Sequence, residues 1–345
     1  MRIAMFSSRA YDRQVFAEEI ARRVAEGENA HELITIRERL SLVSAVQAEG
    51  CRAVCLFVND DASAPVLERL AEIGVELIAI RAAGCDNVDL AACEHLGLSA
   101  VRVAGYSPQS VAEHTVALLL ALERRVHIAH RRSRDLNFAL DGLVGRPLTS
   151  CRIGIVGTGR IGSIVARVMR AGFGCDVVAV DRYENAELTA VGVRYVDRDE
   201  LLGSSDVVSL HAPLTTETRG LLDETAFMRM RPGAVVVNTS RGALIDTEAA
   251  IAALERGRLG GLALDVYEHE ADWFFEDHSN ALPSDPLLSR LLMFPNVLLT
   301  GHQAFLTTTA LGEIARATCE SFDDFEQGLA LRHAVCRVEP SSEAR

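Results

Sequence analysis

Ile153-Gly154-Ile155-Val156-Gly157-Thr158-Gly159-Arg160-Ile161-Gly162 sits near the middle of a 345-residue chain and decides how its fold is read. The first four residues are an apolar run of strand length. The next six follow G-x-G-x-x-G, and beyond them apolar residues recur at Ile161, Ile164, Val165, Val168 and Met169, a helical period. Three spaced glycines alone are a weak signal. Between a strand and a helix each has its own use. Gly157 permits the tight turn, Gly159 lets the backbone approach a pyrophosphate, and Gly162 lets helix and strand pack closely. The helix opens through Arg160 and Ile161, with its N-terminal N–H groups facing the phosphate charge. Asp181 ends the next apolar run, 19 residues past Gly162. A carboxylate there accepts the ribose hydroxyls and repels a 2′-phosphate, so the pattern points to NAD(H). Arg182 beside it is a cation that a phosphate could pair with, which leaves residual NADP use open.

Outward from this stretch the chain alternates strand-like runs with helical patterns. Before it, strands are expected at 3–6, 33–36, 53–58, 77–80 and 98–103, with amphipathic stretches such as 15–24 and 65–73 between them. A long helix is expected from Ser107, with Pro108 in its first turn, through Leu118, Leu119 and Leu122 to the basic cluster Arg124, Arg125, Arg131 and Arg132. The second series expects strands at 152–156, 176–180, 207–210, 234–237, 262–265 and 297–300, then a last helix at about 307–329 and a frayed polar tail at 338–345. Strand and helix in alternation imply α/β architecture with parallel sheets covered on both faces. The expected fold is two doubly wound parallel-sheet domains separated by a cleft. One is a flavodoxin-like substrate domain, residues 1–103 plus 301–345. The other is a Rossmann NAD-binding domain, residues 104–300.

Composition narrows the class. With 49% hydrophobic and 24% charged residues the chain has ample apolar content for two cores, which excludes a dominantly disordered state. Its longest largely apolar run, 115–122, is far short of the ~18–20 residues that a spanning helix needs. A net charge of −13 argues against nonspecific binding to nucleic acid. Eight cysteines lack any C-x2-C spacing and are expected to pack as small hydrophobes in a reducing, cytoplasmic setting.

Three polar residues follow expected strand ends, where open α/β sheets carry their ligands. Arg241 follows 234–237 in Asn238-Thr239-Ser240-Arg241-Gly242. Glu270 follows 262–265 in Asp265-Val266-Tyr267-Glu268-His269-Glu270. His302 follows 297–300 in Gly301-His302-Gln303-Ala304-Phe305. Redox chemistry on a hydroxy acid needs a cation for the carboxylate, a proton-exchanging group and something that holds its protonation state. Taken singly, each residue could instead be an exposed loop residue. Glu268, His269 and Glu270 point apart in an extended turn, which argues against a metal site. His211, beside Pro213 at a strand end, borders the expected cofactor path, and His114 on the long helix reads as structural.

With these segments in order, nearly the whole chain (about 1–329) resembles the D-isomer-specific 2-hydroxyacid dehydrogenases, most of all their D-lactate dehydrogenase branch. The resemblance rests on 238–246, 265–270 and 301–307, together with Arg81-Ala82-Ala83-Gly84, Tyr106-Ser107-Pro108, Ala112-Glu113-His114 and Trp273-Phe274-Phe275-Glu276-Asp277. It implies that Arg241 orients the substrate carboxylate, that His302 protonates the carbonyl oxygen, and that Glu270 keeps its imidazole charged. It also implies that Ala212, Pro213, Thr239 and Ser240 line the cofactor and that Asp265 sits near the nicotinamide. Ala83 and Gly84 would offer backbone N–H groups to the carboxylate, while Tyr106 and Phe305 shape the pocket. Formate dehydrogenases of this family pair their histidine with glutamine, so Glu270 argues against formate.

The expected activity is NADH-dependent, reversible reduction of pyruvate to D-lactate, by a homodimer or homotetramer and without a metal. Two alternatives stand beside it: a reductase for bulkier branched or aromatic 2-keto acids, and a non-catalytic NAD-sensing, corepressor-like protein. The aromatic segment Trp273-Phe274-Phe275 could shield the site or meet a neighbouring subunit.

Overall fold

The computed structural model describes residues 1–28, 30–281 and 283–336; the expected polar tail lies outside them. The first strands are β1 (Arg2–Met5), β2 (Glu32–Thr35), β3 (Ala53–Leu56), β4 (Leu77–Ile80) and β5 (Ser99–Arg102). The second run is β6 (Arg152–Val156), β7 (Asp176–Val180), β8 (Arg194–Tyr195), β9 (Val207–Leu210), β10 (Ala234–Asn238), β11 (Leu259–Leu264) and β12 (Val297–Leu299). The last strand is β13 (Ala334–Cys336).

Among the described residues, those of 1–107 and 306–336 form one compact unit, and those of 108–305 the other. The expected divisions at 103/104 and 300/301 therefore move by four and five residues. The reason is local: the backbone N–H of His302 donates to the Asp265 carbonyl at 2.7 Å, and those of Gln303 and Ala304 donate to the Asp265 carboxylate. These bonds tie 302–304 to the second unit, and His302 belongs there.

In the first unit the sheet order is β13-β5-β4-β3-β1-β2. The five early strands pair in parallel in the 2-1-3-4-5 order of flavodoxin-like sheets. β13 adds an antiparallel edge beside β5 that is not expected from the sequence. β3 and β4 are buried along their whole length, as expected of parallel strands covered on both faces. One face is filled by Val54, Leu56, Leu67, Leu70 and Ile78. The other packs Cys55 and Leu77 of the sheet against Phe16 and Phe322 from the flanking helices Ala10–Ala25 and Thr308–Glu326.

The second unit has seven parallel strands in the order β12-β11-β10-β9-β6-β7-β8. Renumbered within the unit, this is the 3-2-1-4-5-6 Rossmann order with one further strand. Aspartate N-caps start several of its helices: Asp197, Asp223, Asp246 and Asp285 each accept a backbone N–H from the first turn. The long helix ends earlier than expected. Pro108–Glu123 is followed by a left-handed Arg125 (φ 54°) and a separate helix, Val126–Arg134. Ala112, Thr115, Leu118, Leu119 and Leu122 are buried in this chain, all but Thr115 in the unit's own core. All eight cysteines are free, six of them buried. No helix among the described residues is long and apolar enough to cross a membrane.

Candidate active site

One row of residues runs across the carboxyl edge of the second sheet. Val180 pairs with Val156, Val156 with Leu210, Leu210 with Asn238, Asn238 with Leu264, and Leu264 with Leu299. Adjacent strands lie about 4.8 Å apart. Each loop that carries a candidate residue starts at or just beyond this row, so the register alone gathers Asp181, Gly157, Ala212, Arg241, Glu270 and His302 on one edge.

The glycine loop fits the pyrophosphate reading. Gly157 has φ 91°, and a Cβ there would lie 2.8 Å from the His211 carbonyl. A Cβ on Gly162 would overlap the Gly157 carbonyl oxygen. Gly159 meets nothing within 4 Å, so its surroundings are open, as close backbone approach by a ligand requires. Arg160 is exposed, and Ile161 packs on the core. The Asp181 carboxylate accepts from the Thr158 N–H at 2.5 Å and from its hydroxyl at 3.0 Å. Burial works against ionisation there, but these bonds and that from the Tyr183 N–H outweigh it and hold the carboxyl below its usual range. Burial also pushes His211 down to about 4, so this ring is neutral where it abuts the turn. Arg182 is exposed.

The loop after β10 is held from beneath. Asn238, fully buried, accepts the Ser240 N–H at 3.0 Å and donates to the Arg241 carbonyl at 2.8 Å. The Ser240 hydroxyl donates to the Ala212 carbonyl at 2.7 Å, joining two loops of the edge. Thr239 is buried with its hydroxyl 2.7 Å from that of Thr115, so it offers the site backbone rather than side chain. Arg241 is half-buried, and its Nη1 donates to the Ser240 carbonyl at 2.8 Å. Pro213 is exposed beside the buried Ala212.

His302 and Glu270 meet. Nδ1 lies 2.7 Å from Glu270 Oε1, with side chains 18% and 23% exposed, while Glu270 Oε2 accepts the Tyr267 N–H at 2.9 Å. Because Nδ1 is engaged, Nε2 is the nitrogen left for a reacting oxygen. His302 has a left-handed backbone (φ 53°), and the Phe275 ring stands 5.8 Å from its own. Glu268 turns away to accept from Thr247, and the His269 ring packs on Tyr267, so the three neighbours do point apart.

Asp265 takes a supporting place. Completely buried, it accepts from Thr300 Oγ1 (2.5 Å), Gln303 N–H (2.9 Å) and Ala304 N–H (2.8 Å), with His114 Nε2 at 3.3 Å. Burial opposes its charge, and these bonds, His114 first, still hold it below the usual carboxylate range. Two contributors are not evident from the sequence: Thr300, and His114 as a side chain that reaches both Thr300 (3.2 Å) and Asp265. The helical position of His114 is legible, but its partners 151 and 186 residues away are not. In the sequence Phe275 stands out only as part of an aromatic cluster. In that cluster Phe274 is buried in the core, and Trp273 packs against it.

In the first unit, Ala83 and Gly84 follow β4 and are half-buried, with the Ala83 carbonyl accepting from Arg102 at 2.8 Å. Tyr106 is half-buried too. Phe305, at the end of the second unit, is 7% exposed.

Known proteins resemble this chain in sequence and fold. The model of the D-isomer specific 2-hydroxyacid dehydrogenase NAD-binding domain matches residues 116–304. A D-lactate dehydrogenase of Escherichia coli is 46% identical over 328 residues, covering 95% of this chain and 98% of that one. Among solved structures, the pyruvate reductase of Chlamydomonas reinhardtii superposes with a TM-score of 0.89 at 41% identity, covering 96% of this chain and 98% of that one. A D-lactate dehydrogenase of Aquifex aeolicus in complex with NAD and lactic acid gives 0.82 at 31% identity, covering 94% and 96%.

Proposed function

The chain belongs to the D-isomer-specific 2-hydroxyacid dehydrogenases, NAD-dependent oxidoreductases, and from that premise we propose that it reduces pyruvate to D-lactate with Arg241, Glu270 and His302 as its catalytic residues. The observation that carries the reading is the 2.7 Å His302–Glu270 pair on a strand edge shared with Arg241. Bound nicotinamide supplies the hydride. The chain's own groups do the rest. The planar guanidinium of Arg241 suits a carboxylate, which it can grip through two parallel N–H bonds. His302 presents Nε2 and delivers a proton to the carbonyl oxygen, and Glu270 fixes the ring from its other nitrogen. Asp265 sets the backbone that carries His302. The N–H groups of Ala83 and Gly84 would meet the same carboxylate, and Tyr106 and Phe305 would set the room for the substrate's side chain.

A homodimer or homotetramer in the cytoplasm completes the reading. Eight free cysteines support the reducing compartment, and light scattering of the purified protein reads the assembly. The decisive experiment is NADH consumption with a panel of 2-keto acids, pyruvate first, with chiral analysis of the product. Fast conversion of pyruvate to D-lactate is the expected result. Fast turnover of only a branched or aromatic keto acid would keep the mechanism and move the substrate. Tight NADH binding without turnover of any acid would replace the enzyme with a sensor.

A further inference from the structure

Two consecutive residues of the helix Pro108–Glu123 reach two different loops of the catalytic edge. Neighbours on a helix stand about 100° apart around its axis, so each can serve its own loop. Thr115 is 1% exposed. Its hydroxyl donates to the Val111 carbonyl, one turn back, at 2.8 Å. A hydroxyl has one proton, so at the 2.7 Å contact between Thr115 and Thr239 it is Thr239 that donates. Thr239 opens the loop that presents Arg241, the same loop that Asn238 holds from beneath.

His114 serves the other loop. Its Nε2 lies 3.3 Å from the Asp265 carboxylate and 3.2 Å from the Thr300 hydroxyl. Both can only accept there, because Asp265 is held as a carboxylate and the Thr300 proton goes to Asp265 at 2.5 Å. Nε2 therefore carries a proton. Asp265 in turn fixes the backbone around the reacting histidine. Its carbonyl accepts the His302 N–H, and its carboxylate accepts those of Gln303 and Ala304. The left-handed φ of 53° at His302 is one that a non-glycine residue keeps only when its surroundings impose it. Of the four donors to the Asp265 carboxylate, three lie within 300–304, and His114 comes from the helix.

We infer that His114 and Thr115 are positioning residues for the reaction, His114 setting the loop of His302 and Thr115 the loop of Arg241. The inference rests on the roles proposed above for those two groups. The sheet shows why such a device is needed. Arg241 follows β10 and His302 follows β12, and β11 lies between them, so no ladder bond joins the two strand ends directly. One rigid helix gives both loops a common reference. The carboxylate grip and the proton donor are thereby held in register. A displacement of about 1 Å between such groups is worth about 10²-fold in rate.

The test is steady-state kinetics of four variants with the 2-keto acid that the wild-type chain reduces fastest. Turnover is counted per NADH site, titrated by fluorescence, so that unfolded protein does not enter kcat. Thr115→Val keeps the shape and removes the hydroxyl. It should raise KM for the keto acid about threefold or more, with kcat within about twofold. His114→Leu should lower kcat about tenfold or more, with that KM within about twofold. Thr115→Ser and His114→Gln, which restore a hydroxyl and an N–H donor, should each recover most of the loss. A merely structural role gives equal losses in the Leu and Gln variants, or in Val and Ser, and moves kcat and KM together. Either result overturns the inference for that residue, as do wild-type constants in Thr115→Val or His114→Leu. His302→Ala in the same assay separates the two levels. Turnover retained there removes the roles from which the inference starts. Turnover lost there, beside wild-type constants in Thr115→Val and His114→Leu, removes the positioning alone.

Discussion

Both sheets end at their carboxyl edge in a cluster of charged side chains, yet the two clusters are built to opposite purposes. In the first unit Arg81, 1% exposed, donates to the Ser7 carbonyl at 2.9 Å and to Asp12 at 3.3 Å, and its guanidinium stands 4.9 Å from the Phe57 ring. Asp60, also 1% exposed, accepts from Ser7 Oγ, Leu40 N–H and Phe57 N–H. Burial still drives its carboxyl upward against the pull of Arg81. In the second unit His302 and Glu270 share one bond and stay 18% and 23% exposed, with His302 Nε2 making no bond to the rest of the described chain while Glu270 also accepts the Tyr267 N–H. Residue type does not separate frame from chemistry here. What separates them is whether a polar atom remains uncommitted and reachable.

Four substitutions strain that contrast, in descending order of effect. His302→Ala should cut keto-acid turnover by about 10²–10⁴-fold, the usual worth of a positioned proton donor, while NADH affinity and melting temperature stay at wild-type values. A variant that melts early would make His302 part of the frame. Arg81→Leu should do the reverse, lowering stability by about 3–5 kcal/mol because Asp12 and Asp60 lose their buried partner. Urea unfolding measures it, and a loss under about 1 kcal/mol would show that the cluster tolerates a missing charge.

Third comes His211, whose folded pKa of about 4 lies below its ordinary 6.5. Between those values the unfolded chain takes up a proton that the folded one refuses, so stability is complete above pH 6.5 and is lost as pH falls toward 4. The loss is on the order of 2–3 kcal/mol. Melting of His211→Asn should therefore decline less steeply than wild type from about pH 7 to about pH 4.5; parallel curves would remove burial as the cause. The smallest effect is expected of Asp181→Ala, which frees Thr158 and the glycine loop. KM for NADH should rise about tenfold, roughly 1.4 kcal/mol, and the preference over NADPH should narrow. An unchanged preference would shift the discrimination away from Asp181.

The parts of the fold legible in the sequence are those in which burial on both faces leaves a continuous apolar run. β4, β6, β7 and β9 have the bounds expected of them. β8, two residues long, and β13, at an edge, offer no such run. β11 begins three residues early because Gly260 and Gly261 interrupt its apolar pattern. Gly260 is there because a Cβ would strike the Gly233 carbonyl, a contact with no trace in local sequence. The break at Arg125 carries neither glycine nor proline, so helical periodicity runs through it. Arg241, Glu270 and His302 are legible because each lies in the loop that follows a strand. Asn238, Thr300 and His114 act by holding those loops, and only tertiary contact shows it.

Gly242 has a further consequence. A Cβ at this position would stand 2.1 Å from the Tyr267 carbonyl carbon and 2.4 Å from the Glu268 N–H nitrogen, so the turn after Arg241 lies flush against the segment that leads to Glu270. The two loops behave as one cassette. Transplanting either alone from a relative of different substrate preference brings a mismatched surface to this contact, whereas moving 238–246 together with 265–270 carries the fit along. Redesign of this pocket by recombination therefore has its crossover points inside the strands, where backbone register is shared, and not within the loops that differ.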